Sequence, residues 1–72
     1  MKKLNFNVII EKDDDGMYIA TVPIFKSCYT QAKTLEALIP RIKEVIELCV
    51  EEEGLPKEHK TLMGIQQIEV AV

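Results

Sequence analysis

The chain has 72 residues, enough for one domain spanning 1–72 and too few for a multidomain enzyme; a domain this small buries only about 60% of the surface its unfolded form exposes. Its 47% hydrophobic and 29% charged residues are ordinary globular proportions and exclude a disordered or collagen-like chain. Nine Lys+Arg against twelve Asp+Glu give a net charge of -3, which argues against direct DNA binding, because neutralising phosphates needs a basic field.

Residues 3–12 alternate with a period of two. Leu4, Phe6, Val8 and Ile10 share one face and Asn5, Asn7 and Glu11 the other, with Ile9 as the exception; this predicts a strand with one buried face. Asp13-Asp14-Asp15-Gly16 predicts a hairpin turn, since Asp bonds its own backbone and Gly tolerates positive φ. Met17 to Val22 is the returning strand, with Tyr18, Ala20 and Val22 on one side. Pro23 has no N–H to donate and ends the ladder. Residues 23–26 are expected to loop, and Ser27 to Gln31 to form a short third strand.

Thr34 is a helix N-cap candidate, and Glu36 in the first turn suits the positive end of the helix dipole. Leu35, Leu38, Ile39, Ile42, Val45, Ile46, Cys49 and Val50 recur at steps of three and four, the spacing of an amphipathic helix of four to five turns. Gly54 is placed for its C-cap, with Pro56 beyond as a stop. Pro40 lies inside this segment, and because the stripe continues without a phase break the expectation is one helix bent near Pro40. After a polar connection at 56–60, alternation returns over 64–72, with Ile68, Val70 and Val72 on one face. The predicted order is therefore β-β-β-α-β, an α+β two-layer sandwich with the helix lying on the sheet. The last strand either pairs within the chain or offers an edge to a second copy.

The two cysteines, Cys28 and Cys49, together with the lone His59, fall short of a zinc site in number and spacing and are too few for a disulfide framework. They read as reduced, buried thiols. Met1-Lys2-Lys3 is basic but is followed by Leu4-Asn5-Phe6-Asn7 rather than an apolar signal core, and no stretch reaches the ~18 apolar residues of a membrane span. A cytoplasmic location without membrane attachment is expected.

Asp15-Gly16-Met17-Tyr18-Ile19-Ala20-Thr21-Val22-Pro23, then Cys28-Tyr29-Thr30-Gln31, then Thr34-Leu35-Glu36, resembles the HicB family of antitoxins. Members of that family read "DG-x-Y-x-A-x-x-P", "GC-x-TQG" and "TLEEA" in the same order, ahead of an amphipathic helix. The resemblance spans nearly the whole chain. It implies a partial ribonuclease-H-like fold and a role in neutralising a small HicA-type mRNA interferase toxin by occluding its surface. The chain departs from the pattern at Lys26-Ser27, Ala32, Ala37 and Pro40. No C-terminal DNA-binding domain of the kind many HicB antitoxins carry is expected after Val72.

Two acidic runs stand out. Asp13, Asp14 and Asp15 are expected to form a solvated turn, because adjacent carboxylates in a tight turn point different ways and do not converge on metal. Glu51, Glu52 and Glu53 face the negative end of the helix dipole, an unfavourable placement; they read first as a solvated surface screened by Lys57 or Lys60 and otherwise as a docking surface for a basic partner. Tyr18 and Tyr29 are strand aromatics, which usually pack on the sheet, although an exposed tyrosine makes a good interface anchor. The expected partner-facing residues are thus Asp13, Asp14, Asp15, Tyr18, Tyr29, Glu51, Glu52 and Glu53. No catalytic residue, cofactor or metal ligand is assigned; His59 has no visible partner and reads as a loop residue. The leading expectation is a non-enzymatic antitoxin that also forms a dimer or tetramer with itself. The alternatives are an orphan oligomeric module without a toxin and, behind it, a ribonuclease-H-like nuclease.

Overall fold

A computed structural model of the chain describes residues 3–57 and 60–72. Three strands, β1 (Ile9–Lys12), β2 (Tyr18–Thr21) and β3 (Tyr29–Ala32), are followed by one helix, α1 (Leu35–Glu53). The strands form an antiparallel meander in the order β1-β2-β3. Ile10 pairs with Ala20 and Ala20 with Thr30, so these residues share the face that carries the helix. Ile9, Thr21 and Tyr29 pair across the opposite face. The molecule is a small α+β domain with a helix on one side of a three-stranded sheet.

The first hairpin forms where the Asp-Gly signal places it. Asp13 N–H donates to the Met17 carbonyl at 2.9 Å and Gly16 N–H to the Asp13 carbonyl at 3.1 Å. Gly16 has φ 83°, a conformation that costs a residue without a Cβ little. The Asp13 carboxylate accepts from the N–H groups of Asp15 (3.0 Å) and Met17 (2.9 Å). The ladder itself begins only at Ile9. Residues 3–8, expected as strand, lie outside it because Pro23 and the loop after it leave them no partner, yet Phe6 and Val8 still pack against the core.

The core comprises Ala20, Val22, Phe25, Cys28, Ala32, Leu38, Ile42 and Cys49. Phe25 comes from the segment expected to be a plain loop. Its N–H donates to the Val22 carbonyl at 3.2 Å, which turns the ring inward to lie 5.7 Å from that of Phe6. Sequence periodicity cannot find such a residue, because a turn carries no period.

Thr34 caps α1: its hydroxyl accepts from Ala37 N–H at 3.2 Å. Gly54, at φ 77°, closes the other end by donating its N–H to the Val50 carbonyl. The helix runs as one element through Pro40. The Glu36 carbonyl, deprived of its usual donor, belongs to an exposed residue that water can serve. The helix packs on β3 and β2 and does not reach β1. In consequence the apolar stripe is wider than the surface that covers it. Leu38, Ile42 and Cys49 are buried, whereas Leu35 and Ile39, expected on the buried face, remain exposed.

The expected fourth strand is the main correction. Residues 60–72 have no ladder partner and are exposed throughout. The alternation over 64–72 is real, but a strand exists only as part of a ladder, and this segment joins none; only its approach, residues 60–64, lines a hollow with residues 4–7. The radius of gyration, 14.0 Å, exceeds the ~11 Å of a compact chain of this length.

Candidate functional site

The predicted partner-facing residues fall at two ends of the molecule. Tyr18 pairs with Ala32, the last strand residue before the helix, so the Asp13–Asp15 turn lies at the end where the helix begins. Glu51–Glu53 lie at the other end, where Glu53 Oε1 accepts from the Lys26 backbone N–H at 3.4 Å. The two acidic runs therefore do not form one patch and cannot share a cation. Among the described residues, no three side chains of His, Cys, Asp or Glu are grouped to hold a metal ion; His59 lies outside the described residues.

At the hairpin end, Asp13 is committed to the backbone through its two accepted hydrogen bonds, while Asp14 and Asp15 are exposed. Tyr18 is half-buried on the helix side of the sheet. The Lys12 ammonium stands 5.3 Å above its ring, within the range of a cation–π contact. A shallow hollow beside it is lined by Tyr18, Lys33, Thr34, Leu35 and Glu36. Lys12 and Lys33 offset the carboxylates of the turn, so this end carries mixed charge.

The helix end is different. Glu51, Glu52 and Glu53 are all exposed, and the last turn holds no basic residue. Carboxylates there oppose the helix dipole at a cost of roughly 0.3–1 kcal/mol each. Tyr29, 65% exposed, starts β3 at this same end, on the sheet face that the helix leaves bare. Ile9 and Ile19 are half-buried on that face, so a carboxylate cluster and a partly apolar, aromatic-bearing face adjoin.

Beside the last turn of the helix, both cysteines are buried and free. Burial pushes the Cys28 thiol from 9.0 up to about 12, helped by its hydrogen bond with Cys49 and by the nearby charges of Cys49 and Glu53. A thiol held protonated in this way is a poor nucleophile at neutral pH. Cys28 and Cys49 tie the start of β3 to the last helical turns as packing residues. Among the described residues no helix is long and apolar enough to cross a membrane.

The comparisons with known proteins agree on one kinship. No family model matches the chain. It is 47% identical over 70 residues to the UPF0150 protein ssr1258 of Synechocystis sp., covering 97% of this chain and 100% of that protein. It is 42% identical over 67 residues to a UPF0150 protein of Archaeoglobus fulgidus, covering 93% and 96%. A second Synechocystis relative, UPF0150 protein ssr1765, is 43% identical over 56 residues, 78% of this chain and 68% of its own length. Identity at this level along nearly the whole of both partners means that the chain belongs to the UPF0150 family.

Proposed function

We propose that the protein is a HicB-like antitoxin module, a non-enzymatic domain that binds a small basic HicA-type mRNA interferase and occludes its surface. The ordered motifs from Asp15 to Glu36 support the reading from the sequence side. The observation that carries it is the helix end, where Glu51, Glu52 and Glu53 stand exposed with no basic residue in the last turn. Glu53 also holds the Lys26 backbone, whereas Glu51 and Glu52 make no such contact among the described residues, oppose the dipole and remain open to a basic partner. On the same reading, the β1-β2-β3 meander with its following helix is the front part of a ribonuclease-H-like fold without converging carboxylates.

Co-expression with a small basic protein of the HicA type, should a neighbouring reading frame encode one, tests the proposal. Growth rescue and co-purification are expected; their absence would leave the orphan oligomeric module as the better reading. The charge-reversed variant Glu51→Lys/Glu52→Lys sharpens it. Reversal removes the clash with the dipole, so the isolated domain gains about 0.5–1.5 kcal/mol in urea unfolding. Association with the toxin at low salt slows about tenfold through lost steering. A variant that gains stability and keeps its association rate removes this end of the helix from the interface.

A further inference from the structure

The sheet has two edges, and they are not equivalent. On the outer side of β3, the Arg41 guanidinium donates to the Gln31 carbonyl at 2.8 Å, so a helix side chain already occupies that edge. Among the described residues, no side chain is bonded to the edge of β1 in this way. The helix lies over β2 and β3 without reaching β1. With 100° per residue and Arg41 on the β3 side, Leu35, Ile39 and Ile46 fall on the shoulder that faces β1. Ile39 is 54% exposed there, and Ile10 on the helix side of β1 is exposed as well. The result is an apolar trough between helix and sheet that lacks one strand.

The chain also carries a strand that lacks a sheet. Residues 60–72 are unpaired, and Ile65, Ile68 and Val70 are 77%, 78% and 68% exposed. Leu62 and Met63 ahead of them are exposed as well, at 55% and 91%. Monomeric domains rarely leave such a surface open. Its period of two sets Leu62, Ile68 and Val70 on one face, the pattern of a strand with one side buried.

We infer that residues 64–72 of one copy add as a strand along the β1 edge of a second copy, with Ile68 and Val70 filling the trough beside Ile10 and Ile39. Exchange in both directions gives a closed two-fold dimer and doubles the buried area. The occupant is a second copy because the unpaired segment of this same chain carries the alternating apolar pattern that an uncovered sheet edge takes, with Ile68 and Val70 exposed like the Ile10 and Ile39 they would cover. Within one chain the segment pairs with no strand and stays exposed. The inference does not depend on the toxin-binding reading, since it concerns another face and another partner.

Light scattering on the purified full chain, on a chain ending at Lys60, and on the Ile68→Asp/Val70→Asp variant tests the inference. The full chain is expected to be a dimer, and both altered proteins are expected to show half its mass with unchanged helical circular dichroism. A mixed sample of labelled and unlabelled full chain should give isotope-filtered cross-peaks between copies, from the Ile68 and Val70 methyl groups to Ile10. A monomeric full chain, a dimer that survives truncation, or cross-peaks confined to one copy would overturn the exchange.

Discussion

Asp13 separates a structural carboxylate from two neighbours of the same kind. Its Oδ1 accepts from Asp15 N–H at 3.0 Å and Met17 N–H at 2.9 Å, while its backbone closes the turn on both sides. Asp14 and Asp15 accept no backbone hydrogen bond and are exposed. Hydrogen bonds to a charged acceptor contribute about 1.5–3 kcal/mol, less where water competes. Only the Met17 bond is partly buried, so Asp13→Ala should cost about 1–2 kcal/mol. In a domain of this size that lowers the thermal midpoint by roughly 5–15 °C. Asp13→Asn keeps an acceptor oxygen and should lose less than half as much. Asp14→Ala and Asp15→Ala should stay within about 0.5 kcal/mol of the parent, as surface substitutions do. Urea unfolding followed by circular dichroism reads all four. If Asp13→Ala and Asp14→Ala cost the same, the Asp13 carboxylate does not hold the turn and the account of this hairpin is wrong.

Two further outcomes follow from the helix and its floor. Pro40→Ala restores a donor to the Glu36 carbonyl and removes a residue that disfavours helix by about 3 kcal/mol, partly offset by the greater freedom of the unfolded chain. The expected net gain is about 1–2 kcal/mol with increased helical signal; a loss of stability would mean that the proline ring makes a contact the fold needs. For Cys28, with its thiol at about 12 in the fold and 9.0 as the ordinary value, the folded state holds a proton that the unfolded chain releases above pH 9. The stability from this group is fully present below pH 9 and declines as pH rises towards 12. The decline is about 1.4 kcal/mol per pH unit at its steepest. Urea midpoints at about pH 8 and about pH 10 should therefore diverge more for the parent than for Cys28→Ala. Equal divergence in the two proteins would show that the thiol is not protected.

Much of this structure is legible in local chemistry. The Asp13–Gly16 turn and the Thr34 and Gly54 caps are decided by side chains acting on their own backbone, and they stand where the sequence places them. The amphipathic stripe from Leu38 to Cys49 is equally legible as a helix, but its breadth misleads. Leu35 and Ile39 carry the same apolar signal as Leu38 and Ile42, and only the number of strands beneath the helix separates buried from exposed. Phe25 was hidden by the loop that carries it. Of the predicted site residues, the sequence shows each acidic run but not their separation, because the strand meander places the turn and the helix C-terminus at opposite ends. Residues 64–72 are the sharpest case: their alternation specifies a strand correctly as a local preference, but no local preference specifies a neighbour.

The exposed segment and the uncovered edge bear on stability as much as on assembly. Eight buried residues form the core on one side of a three-stranded sheet, and a core of that size supplies only a few kcal/mol beyond the cost of ordering the chain. Placing Ile68 and Val70 in the trough would bury Ile10 and Ile39 with them, adding about 25 cal/mol for each Å² of apolar surface removed from water. Folding and pairing would then be linked through concentration, since whatever binds only the folded state stabilises it. On that footing the carboxylates at the end of the helix need not be affordable to an isolated domain. A fold completed by its own copy can keep Glu51, Glu52 and Glu53 against the dipole, and so keep one end of the molecule charged.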